Sequence, residues 1–146
     1  MKATAIFLGL MVSALSATAQ QQEDLTRIVS YEELAAAGFE IPFSFTDKIP
    51  LTYGLLKQAK AEIAAQRRIN ELLEGVSDRA SADAAAAEIA TQRAVFSVGE
   101  QADILAVFIL ECYPDAVKLV YAYEDLKLKL KKERYHGSDA LRALLR

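Results

Sequence analysis

ADILAVFILEC, residues 102–112, is the densest apolar run beyond the N-terminus of this 146-residue chain. Every residue from Ile104 to Leu110 is apolar, the pattern of a helix covered on most sides. A membrane span needs about 20 such residues, and Glu100, Asp103 and Glu111 bracket the run closely. The stretch therefore predicts the central helix of a small all-α bundle, with amphipathic helices packed around it.

The neighbouring segments supply those helices. Ser30-Tyr31-Glu32-Glu33 reads as a capping box, in which Ser30 caps a short helix and Glu33 reaches back. Val29 and Leu34 stand at the two positions of a hydrophobic staple, and Gly38 is a stop signal. In Leu51–Glu74, Leu55, Leu56, Ala59, Ile63, Ile69, Leu72 and Leu73 recur at three- and four-residue spacing. Lys57, Lys60, Glu62, Arg67, Arg68, Glu71 and Glu74 are assigned mostly to the other face. Ser81 is the expected N-cap of the next helix, SADAAAAEIATQRAVF, whose Ala82, Ala85, Ala86, Ile89 and Phe96 form an inner stripe. Small side chains let a neighbour approach, so 51–96 is predicted to be an antiparallel helical hairpin. Ser97-Val98-Gly99-Glu100 reads as a second capping box leading into the apolar run.

Pro114 is tolerated in a first turn and costly in a helix interior, so a new helix is expected from about residue 115, with a Pro-kinked continuation as the alternative. Leu119, Tyr123, Leu126 and Leu130 line one face of it, and this stripe favours a helix over the strand that the alternating LKLKLKK would allow. Gly137 breaks it, and Ser138-Asp139 caps a final short helix. The expected architecture is about four main helices with short flanking ones and one extended segment, 39–45. Residues 20–29 read as a polar lead-in and 30–146 as a single helical domain.

The GVSDRASADAAAAEIA segment, residues 75–90, resembles the turn and Ala-rich helix of small exported bacterial helical-hairpin proteins. The resemblance implies an exported helical hairpin and brings no activity or catalytic residues with it. Export is also what the N-terminus predicts. Lys2 gives a positive n-region, Ala3–Leu15 an apolar h-region, and Ala17-Thr18-Ala19 a signal-peptidase pattern that places cleavage before Gln20. Residues 1–19 then leave as a signal peptide, no transmembrane span remains after cleavage, and the protein is expected in a bacterial periplasm or secreted.

Composition suits a folded domain, at 53% hydrophobic and 25% charged residues. The net charge of −3 argues against nucleic acid as a partner, although 118–146 carries eight Lys or Arg against four Asp or Glu. Lys127, Lys129, Lys131, Lys132 and Arg134 are therefore candidates for contact with an anionic membrane or cell-envelope polymer. A second candidate surface is Phe39, Ile41, Phe43 and Phe45. They alternate with polar residues and Pro42, which puts all four on one side of an extended arm. That arm either docks on a partner protein or folds back to fill a groove on the bundle. Cys112, the only cysteine, shares a helical face with Leu105, Phe108 and Ile109. It is either a buried small hydrophobe or, in an exported protein, the site of an intermolecular disulfide that would make a homodimer.

The sequence offers little catalytic chemistry. Glu133-Arg134-Tyr135-His136 has the E-x-x-H spacing of di-iron bundles, but a dinuclear site needs a second histidine and His136 is the only one. There is no C-x-x-C-H haem motif, and both methionines leave with the signal peptide. No metal or other cofactor is predicted. Glu32/Glu33 and Glu124/Asp125 are adjacent carboxylates on solvated helix surface, which leaves a carboxylate-dependent hydrolase as the weakest alternative. The expectation is a non-enzymatic exported binding or structural module.

Overall fold

The computed structural model describes residues 24–45 and 49–146, so the leader segment and the first four residues of the polar lead-in, 20–23, lie outside the described residues. Six α-helices follow in order: α1 Tyr31–Ala36, α2 Tyr53–Glu74, α3 Arg79–Arg93, α4 Gly99–Cys112, α5 Ala116–Lys132 and α6 Asp139–Leu145. No strand forms among the described residues; a single isolated antiparallel bridge joins Ile28 to Thr52. The protein is a small all-α bundle, and α2 and α3 make the antiparallel hairpin. No described helix is long and apolar enough to cross a membrane.

Local chemistry sets most boundaries. Ser30 Oγ accepts from the Glu33 N–H at 3.1 Å, satisfying one of the donors a helix start leaves open. The reciprocal half of that box is absent, because the Glu33 carboxylate takes both arms of Arg27, at 2.9 and 3.0 Å. Gly38, at φ +90°, stops α1 in a conformation that favours glycine. Helix α3 starts earlier than expected. Asp78 is its cap, accepting from the Ser81 N–H at 2.8 Å while Ser81 Oγ accepts from the Asp78 N–H at 3.0 Å. Ser97 does not cap α4 either: Val98 stands at that position without a side-chain bond. Tyr113 and Pro114 break α4 from α5, as the proline requires. Between α5 and α6 the chain passes through Arg134, Tyr135 and His136, all at φ near +50°, before Gly137. Such a run of left-handed residues is strained and must be held by its surroundings. Ser138, fully buried, then caps α6 by accepting from the Leu141 N–H at 3.1 Å.

The apolar run in α4 is not the centre. Leu105, Phe108 and Cys112 are buried, but Val107 and Leu110 on its other side are exposed. The spine is α2, against which α3, α4 and α5 all pack. Its apolar residues serve two separate cores. Leu55, Leu56, Ala59 and Ile63 join Val29, Leu34, Phe39, Phe45, Leu105, Phe108 and Cys112 in a first core. Ile69 and Leu73 join Ala82, Ala85, Ala86, Ile89, Leu130, Leu141 and Leu145 in a second. High hydrophobicity in α4 reflects burial on one face and open apolar surface on the other, which a residue count cannot separate.

A groove between the two cores

Where the two cores part, the α2 stripe turns polar. Leu55, Ala59, Glu62, Gln66, Ile69 and Leu73 follow one another at spacings of four and three, so Glu62 and Gln66 fall on the inward line of the helix. Glu62 is only 7% exposed. Its Oε2 accepts from Gln58 Nε2 at 3.0 Å, from Ser97 Oγ at 3.1 Å and from the Ser97 N–H at 3.4 Å. Gln58 also donates to the Val95 carbonyl at 2.8 Å. The two side chains thereby fasten the α3–α4 connection to α2. One turn on, Gln66 Nε2 donates to Asn70 Oδ1 at 3.0 Å, and Asn70 Nδ2 donates to the Leu119 carbonyl at 3.2 Å, which ties α5 to the same helix.

Those two fastenings hold α4 and α5 apart over a groove of about 340 Å³. Glu62, Ile63 and Gln66 form its floor, with Phe96 and Ser97 on the side of the α3–α4 connection. Ala102, Ala106, Ile109 and Leu110 of α4 and Ala116, Leu119 and Val120 of α5 make the walls. Three alanines keep those walls back from one another. Leu110 is 53% exposed, and Val120 and its neighbours Val117 and Tyr121 are also exposed. Glu62 is the single titratable side chain in the lining, so the groove holds no acid–base pair of the kind hydrolysis uses.

The sequence assigned Glu62 to the outer face of α2, and the structure places it on the inner one. The four-three spacing around it carries that signal, but reading the helix as two clean faces hides it.

The arm expected at 39–45 divides. Phe39 and Phe45 are buried against Phe108, the Phe39 ring stacked on it at 4.9 Å between centroids and the Phe45 ring tilted against it at 5.9 Å. Ile41 packs partly against the same core. Phe43 is 99% exposed, because the Phe45 N–H bonds back to the Pro42 carbonyl at 2.9 Å and turns the chain. The four side chains therefore do not share one side. Phe39 and Phe45 belong to the first core, while Phe43 stands outside it.

Cys112 is 1% exposed, and burial pushes its thiol up to about 11. A disulfide there requires the first core to open.

The basic run also divides. Lys127 and Lys131 line a cleft of about 450 Å³ together with Glu124, Leu128, Tyr135, Arg142, Leu145 and Arg146; Lys129, Lys132 and Arg134 are not among its lining. Lys127 sits 3.8 Å from Glu124 and 5.3 Å from the centre of the Tyr123 ring. Arg142 and Arg146, which the sequence left out, reach this cleft because α6 folds back beside the end of α5. Glu133 and His136 pair with each other at 2.6 Å, and no group of three metal-ligating side chains occurs among the described residues.

No family model matches the chain, and no curated protein or solved structure matches it. The class that fold and site define is thus an all-α bundle with an open apolar groove between two cores.

Proposed function

We propose that this chain is an exported, non-enzymatic binding module, and that its binding face is the groove bounded by α2, α4 and α5. The observation that carries this is the lining: an apolar concavity with three polar side chains, Glu62, Gln66 and Ser97, on one side of it. Small-molecule sites have that composition, and volumes of about 300–1,000 Å³. The groove stands at the lower end of that range, which suits the aliphatic part of a small amphiphile. Nile red, a neutral apolar dye, should brighten on the native protein. Ala106→Trp, which fills the groove from α4, should abolish that signal while the thermal melting temperature stays within a few degrees of the parent. Undiminished dye binding by the filled variant would place the apolar site elsewhere.

A second reading, association with an anionic envelope surface, is favoured by the Lys127, Lys131, Arg142 and Arg146 cleft. Its four cations face a single acid, Glu124, and attraction of this kind is screened by salt. Binding to phosphatidylglycerol vesicles should fall steeply from low to physiological salt and weaken in Lys131→Gln/Arg142→Gln. Partitioning indifferent to both changes would remove this reading.

A further inference from the structure

The groove has one feature that an apolar receptor does not require, a buried carboxylate. Taking a carboxylate out of water is costly unless a cation or several donors compensate. Glu62 has neutral donors only, the Gln58 amide and the N–H and O–H of Ser97, and it forms no ion pair among the described residues. All three bonds fall on Oε2. Oε1 receives none, and it is not sealed off completely, because no fully buried side-chain oxygen or nitrogen among the described residues lacks a partner; Glu62 itself lines the groove. Fastening Ser97 to α2 needs only an acceptor, which a glutamine would supply. The charge is left over by that structural duty.

Resting on the groove as the binding face, we propose that its occupant is a small aliphatic amine. The alkyl chain lies along Ile63, Ile109 and Leu119, and the ammonium group meets Glu62 Oε1. A charged donor on a carboxylate is worth more than a neutral hydroxyl in the same place, and a carboxylate-headed amphiphile is repelled. The groove's volume of about 340 Å³ fits a short chain and its head.

Isothermal titration of the purified protein with octylamine, octanol and octanoate tests this. Octylamine should bind at least about tenfold more tightly than octanol, and octanoate most weakly. Glu62→Gln keeps an acceptor for Ser97 and removes the charge; it should bring octylamine down to the level of octanol and leave octanol unchanged. Ser97→Ala loosens the fastening and keeps the charge, so it should retain the preference for the amine. Octanol binding as tightly as octylamine, or a preference that survives Glu62→Gln, overturns the amine while the groove reading stands. No uptake of either octylamine or octanol overturns the groove reading as well.

Discussion

A thiol held in a core answers to two pH values. Cys112 is packed with Phe39, Phe108 and Tyr113, and in the folded chain its pKa is raised from 9.0 to about 11 by burial, with Glu111 adding to the effect. The unfolded thiol ionises first. Stability from this residue is therefore complete below about pH 9 and is lost as pH rises from there toward 11. At neutral pH the native protein should react with a thiol reagent many times more slowly than the same chain in denaturant. Equal rates would mean that Cys112 is reached without opening the core. Its burial was legible from the face it shares with Leu105 and Phe108. The position of Glu62 was signalled only by the four-three spacing around it, because charge in a helix is ordinarily solvated and the donors from Gln58 and Ser97 that accompany an inward carboxylate come from well-separated parts of the sequence.

Among the elements, α6 shows what a single hydroxyl can organise. Ser138 Oγ accepts from the Leu141 N–H and donates to Asp83 Oδ1 on α3 at 2.5 Å, so one buried atom both starts the helix and seats it. Ser138→Ala removes the cap and the bridge together. It should destabilise the protein by about 1–3 kcal/mol, measured by urea denaturation; a change below about 0.5 kcal/mol would show that apolar packing of Leu141 and Leu145 alone holds α6. The existence of α2, α3, α5 and α6 followed from periodicity and caps. The role of α4 did not: an all-apolar run records affinity for apolar surroundings, while the number of partners that actually arrive is decided by residues elsewhere. The 39–45 segment failed as a straight arm for a related reason, since Pro42 begins a turn that alternation alone does not reveal.

For the molecule as a whole, the division of α2 between two cores predicts divided stability. Phe108→Ala leaves a cavity in the first core and should cost about 3–5 kcal/mol there. In hydrogen exchange the segments 29–45 and 99–112 should lose protection well ahead of α3 and α6, because those segments belong to the first core alone and α3 and α6 to the second alone, the two cores sharing only α2 and α5. Uniform loss across all helices would mean that the two cores open as one unit. The order in which their members occur along the chain gives the same division a meaning in time. Every fully buried side chain of the first core precedes residue 117, whereas the second waits for Leu130, Leu141 and Leu145. A chain emerging N-terminus first from a ribosome can close one end of its spine while Ile69, Leu73 and the alanine face of α3 still lack their cover. Vectorial emergence thus leaves this protein adhesive at one end until its last helix is delivered.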